Sequence, residues 1–319
     1  MVGATRMNIM GNPRSKRIAI LGATGHIGKN LTAHFILDGR HELFLFSREP
    51  ERASAFVASL GVTAAHALSY GEFPRFAYDV VINCVGISDP ARIVQAGADI
   101  FRLTEDYDNL VLDYLVRHPE TLYMFFSSGA VHGSDFSLPV SDTTRFTVDL
   151  NRIQPSDYYA LAKLNAEVKH RALEHLSIVD FRVFGFFSRY ADLSAKFFLS
   201  DVLTAIRSGR PLVTDSRNMF RDYVHPADLC QLIEKCMERQ HLNDAFDVYS
   251  RQPAAKFEII EAIRTRYGLE VEVRDGAIMS NATGSKDHYY SLSRKAETVA
   301  YLPQRTSLEA ILEELSALV

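Results

Sequence analysis

Cysteine is scarce in this chain: Cys84, Cys230 and Cys236 are all it has. Three scattered thiols exclude a disulfide framework and a zinc site, so no metal is expected. Cys230 and Cys236 share one helix-like stretch and read as core residues. This usage suits a reducing cytoplasm. No uncharged apolar run is long enough to span a bilayer. Nor is there a surplus of positive charge. A net charge of −4 gives no bulk attraction to nucleic acid or to anionic membranes. Internal repeats and low-complexity tracts are missing. Residues 1–16 hold Gly, Asn, Pro, Arg and Lys without an apolar run. They read as a disordered leader rather than a signal peptide. The rest is ordinary globular material, 47% hydrophobic and 23% charged over 319 residues, enough for one large core or two smaller ones.

One stretch organises the chain: Ile18-Ala-Ile-Leu-Gly22-Ala-Thr-Gly25-His-Ile-Gly28-Lys-Asn-Leu31. An apolar run ends in three glycines, with two residues between each and the next, and an amphipathic segment follows. This predicts strand, tight turn, helix. Gly22 allows the sharp turn. Gly25 lets a pyrophosphate approach the backbone, and Gly28 lets the helix sit close to the sheet. The helix start presents free N–H groups to the phosphates. A glycine-rich turn without a ligand is the plain alternative. Its position at the head of an alternating chain favours binding.

The alternation runs on. A helix is expected over about Gly25 to Asp38 and a strand over His41 to Phe46. Ser47 and Arg48 close that strand, about 20 residues beyond Gly28. A carboxylate there would bind the adenosine ribose diol, whereas Arg48, with the Ser47 hydroxyl, can hold a 2′-phosphate. A solvated loop arginine is the alternative. Next come a helix over Arg52–Leu60, a weak strand over Val62–Leu68 and a buried strand over Asp79–Gly86. One long helix is expected from about Ala91 to His118, ended by Pro119. The strand Leu122–Phe126 carries Ser127-Ser128-Gly129 at its carboxyl end, where open parallel sheets bind ligands. A helix over Asp157–Leu176 and a strand over Ile178–Phe184 complete a doubly wound α/β parallel sheet.

Beyond Phe186 the pattern loosens. Helices are expected over Ala195–Ser208, Pro226–Arg239, Lys256–Tyr267, Ser293–Ala300 and Ser307–Leu318. Short strands are expected at Pro211–Thr214, Phe246–Tyr249 and Glu270–Arg274, and a mobile loop over 275–288. The expected division is a dinucleotide-binding Rossmann-like part, 17–188, and a smaller substrate-binding α/β cap, 189–319. Some strand and helix near 210–250 should return to the first part.

Tyr159-Ala-Leu-Ala-Lys163 puts a phenol and an ammonium on one helix face. A free phenol has a pKa of about 10. A neighbouring ammonium favours the phenolate and lowers that value. Ser128 would hold a substrate oxygen while Tyr159 donates or removes its proton. Lys163 can also hydrogen-bond a nicotinamide ribose. Tyr158 lacks the spacing and reads as packing. A bare Tyr-to-Lys pair is usually a surface feature, but here it follows the glycine turn and the strand-end serine.

With these residues in place, the chain resembles the extended short-chain dehydrogenase/reductases, the NAD-dependent epimerase/dehydratase family, which act mostly on nucleotide sugars. The resemblance runs from Ile18 to the C-terminus. It rests on the glycine turn, Asn83-Cys-Val-Gly86, Ser127-Ser-Gly-Ala-Val-His-Gly133 and Tyr159…Lys163. It continues through Arg182-Val-Phe-Gly-Phe-Phe, Arg221-Asp-Tyr-Val-His-Pro-Ala-Asp228 and a tail from Ser293 to Glu309. It implies a catalytic triad of Ser128, Tyr159 and Lys163. It implies cofactor contacts from Gly22, Thr24, Gly25, His26, Ile27, Gly28, Ser47, Arg48, Asn83, Val85, Gly86, Tyr159 and Lys163. Arg221 matches an arginine that meets the nucleotide diphosphate, a task that suits a guanidinium. A structural pair of Arg221 with Asp222 or Asp228 is the alternative. The resemblance also implies a homodimer through the long helices near 91–118 and 157–176.

There are departures. Dehydratases of the family carry an Asp-Glu pair where this chain has Gly129-Ala130, which argues against dehydration by that route. His132 replaces a tyrosine and Gly185 stands where many members have Asn. The second diphosphate arginine has no counterpart, and Lys286 is the nearest base, taken as a substrate contact with Ser128 and Arg221. These leave open another nucleotide, or a substrate without a diphosphate. The expected function is an NADP(H)-dependent oxidoreductase, with NAD as the other cofactor, reducing a keto group of a nucleotide-activated deoxysugar. A nucleotide-sugar epimerase with retained cofactor needs the same triad. A non-catalytic dinucleotide sensor on this fold is the third reading, but such proteins often lose the Tyr or Lys kept here.

Overall fold

The structure, a computed structural model, describes residues 15–62, 65–87, 89–195, 197–274 and 286–319. All but Ser15 and Lys16 of the expected leader lies outside them, as does 275–285 of the expected loop. The first half alternates β1 (Arg17–Leu21), α1 (His26–Asp38), β2 (Glu42–Phe46), α2 (Pro50–Ser59), β3 (Ala65–Leu68), β4 (Val80–Asn83), α3 (Pro90–Ala96), α4 (Asp99–Leu115), β5 (Leu122–Ser128), α5 (Tyr158–Ala172) and β6 (Ile178–Val183). The second half adds β7 (Gly185–Phe186), α6 (Phe198–Ser208), β8 (Leu212–Thr214), β9 (Phe220–Arg221), β10 (Tyr223–Val224), α7 (Pro226–Met237), β11 (Asp244–Val248), β12 (Ala254–Ala255), α8 (Lys256–Tyr267), β13 (Val271–Val273), β14 (His288–Tyr289) and α9 (Ser307–Ser316).

Seven strands form one parallel sheet in the order β11-β6-β5-β4-β1-β2-β3. Residues alternate across it, as strand geometry requires. Ile18 and Ile20 enter a core with α1, α2 and α7, while Ala19 and Leu21 enter a second core with α4 and α5. Parallel order puts all carboxyl ends on one edge, and the order reverses between β1 and β4. Of the second half, α7 and β11 join this body. A third core gathers α6, α8 and α9 around Leu203, Ile260, Ile263 and Ile311. There β8 pairs with β13, while β9 joins β12 and β14.

The single helix expected from Ala91 to His118 is two. Gly97, at φ 50° and ψ −128°, closes α3, and its N–H donates to the Ile93 carbonyl. Only glycine adopts that conformation readily. The expected helix at 293–300 is a short 3-10 turn over Lys295–Val299. The small strands β7, β9, β10, β12 and β14 were not foreseen. Two residues carry too little periodicity to be read.

A buried charge cluster ties α5 to the sheet and to α4. His170, fully buried, faces Asp180 through Nδ1 (2.7 Å) and Asp108 through Nε2 (2.8 Å). Lys169 and Arg171 balance the outer carboxylate oxygens at 2.6 and 2.8 Å. Burial opposes a charged imidazole. The hydrogen bonds and charges of the two carboxylates outweigh it and raise the His170 pKa to about 9.

His170→Gln should destabilise the fold by about 3–5 kcal/mol, because it strands buried carboxylates. A folded-state pKa raised from 6.5 to about 9 means a stabilisation complete below pH 6.5 and lost as pH rises through 9. The wild-type advantage over His170→Gln in urea denaturation should therefore shrink over that window. A Cβ on Gly28 would lie 2.2 Å from the Gly22 carbonyl oxygen, backbone against backbone. Gly28→Ala should cost about 1–3 kcal/mol or more by overpacking, measured the same way.

Candidate active site

The glycine turn sits at the carboxyl edge of the sheet. The Gly22 and Ala23 N–H groups donate to the Phe46 carbonyl (2.9 and 3.2 Å), and the Gly25 N–H to that of Gly22 (2.9 Å). Gly22 has φ 77°, and a Cβ there would meet the Cys84 carbonyl carbon at 3.0 Å. The loops after β1 and β4 therefore touch through their backbones. Gly25 caps α1 with no side-chain hydrogen bond, and no acid stands in the first turn. The first N–H groups of α1, in His26, Ile27 and Gly28, have no carbonyl of their own helix to meet. Thr24 lies within the turn, half-buried.

Ser47 and Arg48 lie beside it. Ser47 is 2% exposed, and its hydroxyl has no partner among the described residues. Arg48 is exposed and makes no ion pair among them. Sequence reasoning missed Tyr70, whose phenol lies near the Gly22 backbone and Arg48. Burial raises its pKa, and the Gly22 backbone opposes this. Its ring packs edge-on against Tyr107 at 4.7 Å. Together these features fit a bound dinucleotide: an orphaned buried hydroxyl, an open helix start and glycines where side chains would intrude.

Asn83 has another task than the direct cofactor contact expected of it. Its amide donates to the Tyr123 hydroxyl (3.0 Å) and the Tyr107 carbonyl (3.3 Å), inside the protein. Its side-chain oxygen accepts the Val85 N–H at 3.0 Å. Asn83 thus shapes the loop that carries Val85 and Gly86. A Cβ on Gly86 would stand 3.5 Å from Lys163 Nζ, so this loop borders α5.

Ser128 ends β5, with Tyr159 of α5 beside it and Lys163, on the same helix, against the Phe126 carbonyl of that strand. Ser128 accepts the Ala130 N–H at 3.2 Å, and its hydroxyl lies near enough to the Tyr159 phenol to pull downward on that group's pKa. Lys163 is 4% exposed; its ammonium donates to the Phe126 carbonyl (2.8 Å) and lies 4.3 Å from the Phe125 ring centre. Burial lowers its pKa to about 8, against the pull of Asp108, Asp180 and Glu167. The lowered phenol pKa expected for Tyr159 is not found. Burial raises it, and the Ser128 hydroxyl only partly offsets this. The ammonium is engaged with Phe126, so the phenol is left to its apolar surroundings.

A third hydroxyl joins them. Tyr289 Oη lies 3.2 Å from Ser128 Oγ, and its ring packs on Phe136 and Phe184. No sequence signal marked Tyr289, because β14 is two residues long. Lys286 Nζ lies 4.0 Å from its ring centre, and Arg221 donates to the Lys286 carbonyl at 2.6 Å. Burial first, then Arg221, lowers the Lys286 pKa to about 7. The alternative partners of Arg221 are taken elsewhere. Asp222 accepts from the Ser250 N–H and the Ser307 hydroxyl, and Asp228 from the Arg305 N–H. Arg221 and Lys286 are thus two close cations with no carboxylate in an ion pair with either among the described residues. Lys286, Tyr159 and Ser134 line a narrow cleft here.

The departures have physical causes. A Cβ on Gly129 would lie 2.5 Å from the Phe184 ring, so an acidic side chain has no room there. A Cβ on Gly185 would lie 2.5 Å from the Asp222 carbonyl oxygen, across the β7–β10 pairing. His132 bonds Asp247 at 3.0 Å, and Asp247 also accepts from the Ser291 hydroxyl at 2.6 Å, which ties the tail to β11.

A sequence model of the NAD dependent epimerase/dehydratase family matches residues 18–250. No curated protein matches the chain in sequence. Solved structures match its fold. UDP-glucose-4-epimerase of Stenotrophomonas maltophila, with NAD and formylated UDP-arabinopyranose, is 14% identical with a TM-score of 0.78, covering 95% of this chain and 97% of that one. dTDP-glucose 4,6-dehydratase of Bacillus anthracis, in complex with NAD, is 15% identical with a TM-score of 0.76, covering 95% and 96%. ADP-L-glycero-D-manno-heptose-6-epimerase of Helicobacter pylori is 15% identical with a TM-score of 0.76, covering 96% of each. The family match over most of the chain and the seven-stranded parallel sheet give one conclusion: this protein belongs to the NAD dependent epimerase/dehydratase family, enzymes of the extended short-chain dehydrogenase/reductase type.

Proposed function

We propose that the protein is an NADP(H)-dependent oxidoreductase that reduces a keto group of a nucleotide-activated sugar. The observation that carries this reading is Tyr159 beside Ser128 at the end of β5, with Lys163 of the same helix next to Gly86, in the loop that touches the glycine turn. The residues of the turn, with Ser47, Arg48, Val85 and Gly86, would hold the dinucleotide. When bound, that cofactor supplies the hydride. Ser128 would orient the carbonyl oxygen, taking it in place of the Tyr289 hydroxyl. Tyr159, kept protonated by burial, would donate its proton to that oxygen. Lys163 would turn from the Phe126 carbonyl towards the ribose and lower the cost of the phenolate left behind. Arg221 and Lys286 would receive an anionic group of the substrate, which relieves their mutual repulsion. Arg48, free of any carboxylate partner among the described residues, favours the 2′-phosphate.

The same triad serves an epimerase that oxidises and then re-reduces its substrate. Epimerases among the structures of this fold, NAD-bound in some cases, favour that second reading. The division of labour we propose is cofactor binding by 17–188 and substrate binding by 189–319. We also propose a homodimer through the outward faces of α4 and α5, on which Val168 is exposed.

Thermal-shift screening of nucleotide sugars with NADP(H) would identify the substrate, since a ligand stabilises only the state it binds. Stoichiometric NADPH consumption is the expected result with the matching keto sugar. An unchanged cofactor with an inverted sugar would establish the epimerase instead. Tyr159→Phe should reduce turnover by about 10²–10⁴-fold while leaving dinucleotide affinity near wild type; normal turnover would remove Tyr159 from the chemistry. Arg48→Ala should weaken NADP⁺ binding by about tenfold or more and leave NAD⁺ unaffected in calorimetry. Equal losses for both would assign Arg48 no part in cofactor choice.

A further inference from the structure

His26 opens α1, and its imidazole has a setting of its own. The ring is tilted against Phe186, centroids 4.9 Å apart, and Nε2 lies 2.8 Å from Ser188 Oγ. The neighbours decide which atom donates. Asn30 Nδ2 is 2.8 Å from the His26 carbonyl oxygen, which can only accept, so the NH₂ end of the amide faces it. The same nitrogen donates its other hydrogen to Ser188 Oγ at 2.7 Å. The Tyr190 N–H donates to that oxygen too, at 3.2 Å. Ser188 is fully buried. Two incoming bonds use both lone pairs of the hydroxyl. Its single proton then goes to His26 Nε2, the one remaining neighbour.

An imidazole that accepts at Nε2 carries its proton on Nδ1. It stays neutral: burial, aided by Lys29 and opposed by Glu314 and Asp192, lowers its pKa to about 4. Nδ1 has no hydrogen-bond partner among the described residues and is not sealed from solvent. A fixed N–H therefore stands unused in the first turn of a helix whose backbone N–H groups are also open. We infer that His26 is a neutral Nδ1–H donor built into the glycine turn, and that its acceptor is the diphosphate of the bound dinucleotide. This rests on the cofactor reading above and adds a side-chain ligand to a cradle otherwise made of backbone. The Ser188 loop that sets the tautomer is itself gripped elsewhere. Arg189 is clamped bidentately by Glu314 of α9 at 2.7 and 3.0 Å, and Tyr190 packs on Phe56 of α2 at 5.2 Å. The second half of the chain thus fixes the donor that the first half presents.

The test uses the full-length chain. Long-range ¹H–¹⁵N NMR at pH 7 should show His26 neutral and protonated at Nδ1, with that proton shifting when ADP is added. Calorimetry with NADP⁺, NAD⁺, ADP and adenosine completes it. His26→Phe keeps a ring against Phe186 and removes the donor. It should weaken the three diphosphates by about tenfold or more, as loss of a hydrogen bond to a charged group implies, and leave adenosine unchanged. Ser188→Ala should give a smaller loss in the same direction. An Nε2–H tautomer or an imidazolium in the wild type overturns the inference, as does wild-type ADP affinity in a folded His26→Phe. If that variant does not fold, the wild-type spectrum decides. Failure of wild type to bind any diphosphate removes the cofactor reading as well, whereas wild-type binding with no effect of His26→Phe removes this inference alone.

Discussion

The contact on which the site depends is between two stretches of backbone, not two side chains. The start of α1 lies against the Gly22 carbonyl so closely that a single methyl on Gly28 would collide with it. That approach puts the open end of the helix at the edge where seven parallel strands finish. It also lets the loop after β4 lie against Gly22, with Gly86 beside Lys163. A helix set further out would leave its N–H groups and the ammonium without a common space between them.

Helix α5 supplies the other half by burying charge. Lys163, Glu167 and His170 recur at helical spacing on its inner face, all 4% exposed or less. Each is compensated from the sheet. The Phe126 carbonyl receives the ammonium; Ser127 and Arg182 receive the carboxylate; Asp180, with Asp108 of α4, holds the imidazole. Buried charges tolerate little displacement, because separating either partner leaves an unpaired ion in a poor solvent. Helix α5 is thereby held in register with β5, whose last residue is Ser128. The strength of this anchoring also explains the protonated phenol: Lys163 is bound to Phe126, and Tyr159 keeps its proton in an apolar setting.

Much of this was legible in the residues. The glycine spacing, the apolar run before it and the Tyr-to-Lys interval all lie within one turn or one helix, so a local pattern suffices. Reading failed where the partner is distant. The family resemblance gives Asn83 to the cofactor, yet the Tyr123 hydroxyl and the Tyr107 carbonyl claim its amide. Tyr289 went unnoticed because it lies 161 residues from the serine it touches. Tyr70 was passed over for the same reason. The break at Gly97 was visible as a glycine, but whether a glycine interrupts a helix depends on the packing of the segments on either side.

By itself the sequence determined the strand–helix alternation of the first half and the glycine turn, and it pointed to Ser128, Tyr159 and Lys163, since short-range sterics and periodicity act on neighbours along the chain. Only the tertiary structure decided which charges meet. It placed Phe184 where an acidic pair would need room, left Arg221 and Lys286 together with no carboxylate at ion-pair distance among the described residues, and set the His26 proton through Ser188. Those outcomes depend on groups brought together across the fold, where a low dielectric makes each pairing matter and no local pattern records it.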